Sequence, residues 1–220
     1  MHVYALLKTP QLPLNLPAGV DHALQLVVCK QLAAVIEPDL ELEQLQQDDA
    51  VLLQAVLAHD RVIRELFSQT TVLPLRFATF PTLAELISDL HTRQTHYLET
   101  LDWFEGKAEY TVKLTPSKIN QSPIVETLKG KEYFLAKKRQ YQEQQQQREQ
   151  QTQELAQIFQ AIAQQYPIQT NSDNQQVHIL ANKNEQNQLE QILKTLQSNY
   201  MLWEIALSEA LPPFHFVNLR

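Results

Sequence analysis

The chain offers few residues with which to do chemistry, and their spacing narrows the choice further. Among its seven histidines, His91 and His96 stand nearest to each other in sequence. Five residues apart on a helix, they diverge by about 140°, which makes a poor metal pair. No His-Glu-x-x-His occurs, and the lone Cys29 cannot by itself form an internal disulfide or a cysteine-based zinc site. It sits in the apolar run Leu26-Val27-Val28-Cys29 and reads as a buried, inert thiol. Carboxylates are paired at Asp48-Asp49 and Glu41/Glu43, but they flank loops and helix starts, where capping and solubility account for them. The serines are few and none stands in a nucleophile context. The three glycines, Gly19, Gly106 and Gly130, are too far apart for any phosphate-cradling loop or nucleophile elbow. One dense polar cluster remains inside an apolar stretch: His59, Asp60 and Arg61, with Arg64 and Arg76. Arg76 alternates away from Leu73, Leu75 and Phe77. It is expected to pair with Asp60 or Glu65 across helix-strand packing, with contact to a ligand as the alternative. No catalytic residue, cofactor site or metal site is expected.

The elements that must position this cluster come from a chain of 220 residues, 44% hydrophobic, enough for one or two domains with a core. The net charge of −7 is unevenly placed: residues 1–115 carry 8 basic and 15 acidic residues, and residues 116–220 carry 10 of each. An acidic half lacks the basic footprint of a nucleic-acid surface. No apolar run approaches the roughly 20 residues of a membrane span, and the start has no signal-peptide pattern. The expectation is a cytoplasmic protein without nucleic-acid or lipid-membrane partners.

His2–Leu7 reads as an apolar strand, followed by a loop marked by Pro10, Pro13 and Pro17. Ala23–Ile36 reads as a hairpin broken at Lys30-Gln31 and ended by Glu37-Pro38-Asp39. Residues 48–67 carry a helical stripe, Val51, Ala55, Ala58, Val62 and Leu66, widened by Leu52, Val56, Ile63 and Phe67, with Asp48 or Asp49 as cap. Thr71–Phe77 reads as a strand weakened at Pro74. A second helix starts at Pro81, capped by Thr79 or Thr82, and ends at Gly106. Glu109–Thr115 alternates as a strand. This order predicts an α+β chain whose N-terminal domain, residues 1–116, is a ferredoxin-like antiparallel sheet covered by two helices on one face. A linker follows at 117–130. The C-terminal α+β domain, 131–211, opens with a long helix over Lys131–Gln165. Its Gln-rich middle, Gln142–Glu154, has no apolar residue, so it is expected to project as an arm without a packed face, with a frayed Gln-rich linker as the alternative. A strand at Val177–Leu180, a helix at Glu185–Ser198 and a strand at Tyr200–Leu207 follow. An apolar tail, 212–220, carries Phe214, His215 and Phe216 and is expected to dock on the protein's own sheet, with docking on a partner as the alternative.

Several stretches carry a family resemblance. His59-Asp60-Arg61-Val62-Ile63-Arg64-Glu65-Leu66-Phe67, then Thr71-Val72-Leu73-Pro74-Leu75-Arg76-Phe77-Ala78-Thr79-Phe80, resemble the GvpF/GvpL gas vesicle protein family, in its cyanobacterial GvpF-like form. Glu109-Tyr110-Thr111-Val112-Lys113, Gly130 with Tyr133-Phe134-Leu135-Ala136-Lys137-Lys138, and Leu211-Pro212-Pro213-Phe214-His215-Phe216-Val217 are similar to further family landmarks in the same order. Ala78 and Glu209-Ala210-Leu211 depart from it, where the family often has Gly and a Gly-Pro-Trp start.

The resemblance implies an accessory or minor structural protein of gas vesicles. It would bind the major gas vesicle shell protein, with other gas vesicle accessory proteins as further partners, and support nucleation and assembly at the gas-facing side. It also implies a ferredoxin-like N-domain and a coiled-coil-like helix in the C-domain, and it transfers no catalytic residue. His59, Asp60, Arg64, Arg76, Phe214 and Phe216 are the candidate partner-binding or structural cluster. The alternatives are a ferredoxin-like nucleic-acid-binding module, which would need more strand aromatics and a basic setting than Tyr110 offers, and an uncharacterised enzyme.

Overall fold

The computed structural model of the chain describes residues 1–40, 45, 48–77, 82–117, 130–170 and 175–217. Contacts divide it into two compact units. The first holds Met1–Glu109, Leu180–Lys183 and the chain from Ala210 onward; the second holds Tyr110–Ile179 and Asn184–Glu209. Most of the expected linker, residues 118–129, lies outside the described residues, as do Ala78, Thr79 and Pro81.

In the first unit, β1 (His2–Lys8), β2 (Gln25–Cys29), β3 (Leu32–Glu37) and β4 (Leu73–Pro74) form an antiparallel sheet in the order β2-β3-β1-β4. The β2-β3 hairpin turns at Lys30-Gln31, as its polar break predicts, with Lys30 at φ 55°. The strand expected over Thr71–Phe77 shrinks to two residues, because Pro74 cannot continue the ladder. All six residues of β3 are buried, so helices cover both faces of the sheet and not one alone. Helix α1 (Asp49–Gln69) packs on one face, bringing His59 against Tyr4 of β1. Its Asp48 cap accepts from the backbone N–H groups of Ala50 and Val51.

Helices α2 (Leu83–Thr92) and α3 (Gln94–Phe104) cover the other face. Leu86, Leu90, Tyr97, Leu101 and Phe104 join Val3, Leu6, Leu32, Ala34, Ile36 and Leu73 in one core. Cys29 is half-buried against it. Sequence periodicity gives α2 and α3 as one helix; the backbone breaks at Arg93, where φ is −103° and ψ 16°. Thr82 caps α2 by accepting from the N–H of Glu85. Gly106 ends α3 at φ 72°, the left-handed conformation that glycine adopts without strain.

The second unit is built on a sheet ordered β6-β7-β5-β8: β5 (Lys107–Pro116), β6 (Ile168–Thr170), β7 (Gln176–Asn182) and β8 (Trp203–Leu207). The strand expected at Glu109–Thr115 thus belongs to this sheet and pairs antiparallel with β8, Val112 opposite Leu207. The unit boundary falls within it. Helix α4 (Lys131–Ala163) realises the expected long helix, and α5 (Gln186–Asn199) follows β7 through a short 3-10 turn. Along α4 only Ile158 and Ile162 are buried. Its polar middle is sustained by side-chain pairs one turn apart, Gln145 to Glu149 at 3.2 Å and Gln150 to Glu154 at 3.1 Å. It is not wholly without an anchor, since the Trp203 indole N–H donates to the Gln151 carbonyl at 3.1 Å.

Candidate functional site

β1 and β3 set a group of polar side chains inside the first unit. The register of β1 against β3 slips between Val3 and Ala5, a bulge that re-aims Tyr4. The Tyr4 hydroxyl donates to Glu37 Oε2 at 2.5 Å. Glu37, at the end of β3, is completely buried. Its carboxylate also accepts the N–H groups of Val20 at 2.9 Å, Asp21 at 2.8 Å and His22 at 2.6 Å. Burial pushes its pKa up, but the Tyr4 hydroxyl and the three N–H donors outweigh that and hold it below the ordinary carboxylate value. From outside, Arg61 of α1 donates to the carbonyls of Ala18 and Gly19, at 3.0 and 3.4 Å. The Pro-rich loop is therefore tied at both ends of its tight turn.

Gly19 lies so close that a Cβ there would stand 2.5 Å from Glu37 Oε2 and 2.5 Å from the His22 carbonyl. Gly19→Ala is expected to lower stability by about 1–3 kcal/mol, the usual cost of overpacking. Urea unfolding measures it, and an unchanged midpoint would show that the turn tolerates the methyl group.

His59 completes the group. Its Nε2 donates to the Leu75 carbonyl at 3.0 Å, which leaves Nδ1 to accept from His2 Nε2 at 2.8 Å. The ring stacks on Tyr4 at 5.1 Å and meets Phe77 edge-on at 5.5 Å. Burial lowers its pKa below the ordinary histidine value, partly offset by the Leu75 carbonyl. With both ring nitrogens engaged in the interior, His59 holds α1 and the chain after β4 together and has no nitrogen left for acid-base work.

Its sequence neighbours face outward. Asp60 pairs with Arg64 at 2.6 Å and Glu65 with Arg61 at 3.5 Å, each one helical turn apart. The expected pairing of Arg76 with Asp60 or Glu65 does not form, because both carboxylates are taken by arginines of their own helix. Arg76 is exposed and, with Pro74, Leu75, Phe214 and Val217, lines a cavity of about 220 Å³.

Of the tail residues, Phe216 is fully buried in the first unit's core, 6.1 Å from the Trp103 ring, and Phe214 is half-buried. Glu109 and Leu211 exchange backbone hydrogen bonds. His215 donates its backbone N–H to Glu109 at 2.9 Å, and its Nδ1 lies 2.7 Å from the same carboxylate. Burial raises the Glu109 pKa, and the His215 contacts only partly counter this.

The candidate residues therefore do not converge on one site. His59 is interior, Asp60 and Arg64 form a surface pair, and Arg76 shares a cavity wall with Phe214. Sequence reasoning missed Tyr4, Glu37 and Gly19. The signal for Glu37 was the alternation of Ala33 and Val35, which carries a third position to the same buried face.

The second unit has a groove of about 440 Å³ between α5 and β8. Leu193, Ile205 and Leu207 line it, with Glu190 and Lys194 on one wall. Gln197 closes one end by accepting from the Ile205 N–H at 2.8 Å and donating to the Trp203 carbonyl at 2.7 Å. Ser208 also lines it, its hydroxyl donating to the Glu209 carbonyl at 2.7 Å. Among the described residues, no helix is long and apolar enough to cross a membrane.

The family model for gas vesicle synthesis protein GvpL/GvpF matches residues 1–218. The crystal structure of gas vesicle protein GvpF from Anabaena superposes with a TM-score of 0.67 at 13% identity, covering 100% of this chain and 96% of that one. GvpF from Microcystis aeruginosa gives 0.61 at 15% identity, covering 99% and 98%. At these identities the structures establish the shared fold. No functionally curated protein matches the chain.

Proposed function

Because the chain belongs to the GvpL/GvpF family of gas vesicle synthesis proteins, we propose that it binds the major gas vesicle shell protein and supports nucleation and growth of the shell. The observation that carries this reading is the family match over residues 1–218, which spans both units and the tail. The family serves gas vesicle assembly and is not known for catalysis, so a binding role is the natural one.

The mechanism is surface recognition of a small, hydrophobic shell subunit. The acidic first half, with 15 acidic against 8 basic residues, steers basic patches on that subunit and speeds encounter, an effect that salt weakens. The protein works in the cytoplasm on the forming vesicle, together with other gas vesicle accessory proteins. A binding measurement between the full chain and the purified shell protein tests this reading directly.

A further inference from the structure

Two helix faces of this protein are apolar, exposed and opposite in charge. On α1, Leu53 and Leu57 are each 60% exposed, and Val56 lies between them on the same face. Spacings of three and four residues make these one stripe. Asp49 lies one turn before it and Asp60 one turn after, and residues 48–65 hold four acidic against two basic residues. The core uses the opposite side of α1, through Ala55, Val62, Ile63 and Leu66, so periodicity alone overstates what is buried: Val51 and Val56 are exposed.

On α4 the first three turns show the reverse charge. Phe134 is 78% and Tyr141 69% exposed, seven residues apart on one face, with Tyr133 and Leu135 beside them. Lys137 and Lys138 fall between the two aromatics, and residues 131–143 hold four basic against two acidic residues. Lys137 Nζ lies 6.0 Å from the Tyr133 ring centre, so the basic groups lie along the aromatic surface.

We infer that the α4 start of one copy docks on the α1 stripe of a second copy, a head-to-tail self-association of this chain. Charge complementarity selects the occupant. Two α4 starts would set lysines against lysines, and two α1 stripes would set acidic rims together, whereas α4 on α1 joins unlike charges over apolar side chains. The contact uses different surfaces on the two copies, so each bound copy keeps one free face and the association can extend. This surface is separate from the reading of shell binding above and stands without it.

Sedimentation velocity of the full chain over roughly a hundredfold range of concentration tests it. The wild type is expected to grow in mass with concentration, less so at high salt. Phe134→Glu and Leu57→Glu are each expected to weaken this tenfold or more, with unchanged thermal unfolding because both side chains are exposed. An equimolar mixture of the two variants retains one intact face on each partner and should give a dimer and nothing larger. Wild type that stays monomeric throughout, single variants that associate like wild type, or a mixture that stays monomeric would each overturn the inference.

Discussion

Replacing Glu37 by Gln is expected to destabilise the first unit by about 3–5 kcal/mol, the range for breaking a buried, hydrogen-bonded charge. Glu37 accepts from Tyr4, Val20, Asp21 and His22, all donors. The amide has one accepting oxygen, so its NH2 must face donors on one side. Tyr4→Phe removes a single donor and is expected to cost less, about 1–2 kcal/mol. Urea unfolding reads both, and a Glu37→Gln variant as stable as wild type would mean that the carboxylate is not the tie between β3 and the Pro-rich loop.

The same network makes stability depend on pH. Glu37 has a folded pKa below its ordinary value, so its contribution is complete above that ordinary value and is lost as pH falls toward the folded one. His59 is also lowered, so below about pH 6.5 the unfolded chain takes up a proton that the folded chain refuses. Both act with one sign: acid weakens the wild type, first through His59 and then through Glu37. The Glu37→Gln variant should lose the lower part of this dependence.

Phe216→Ala is expected to cost about 3–5 kcal/mol, the usual penalty for emptying a buried aromatic site. Phe216 has no exposed surface, meets Trp103 at 6.1 Å and shares the core with Phe104, Leu101 and Leu180. Phe214→Ala, at a half-buried position beside Arg76, should cost clearly less. The difference between the two is the check. Equal losses would mean that the tail is held through its backbone bridge at Glu109 and Leu211, and not through Phe216.

Local signals were legible where they were strong. The Asp48 cap, the Lys30-Gln31 turn, Gly106 past a helix and the long α4 all follow from residue types at fixed spacing. Pairing partners were not. Tyr110, Val112 and Leu114 alternate as any strand does, and nothing in that period says whether β5 joins the first sheet or the second. The break at Arg93 has neither Pro nor Gly to announce it.

The candidate cluster shows the same limit. Arg64 and Arg61 lie one turn from their carboxylates, a local fact that outcompetes the longer-range pairing expected for Arg76. Glu37-Pro38-Asp39 reads locally as the end of a strand, and nothing in that tripeptide places the carboxylate in the interior. Its burial depends on a loop near Gly19 that is distant in pattern though near in sequence. Family membership, by contrast, was visible from whole motifs, because it needs only residues in order and not their contacts.

Binding to the major shell protein is read by titrating the full chain into the purified shell protein at low and moderate salt. Saturable binding that weakens as salt rises is the predicted result, because an acidic surface steers the encounter. Absence of binding at every salt concentration, with a chain whose unfolding curve shows it to be folded, would contradict the proposal that this family member acts through the shell protein.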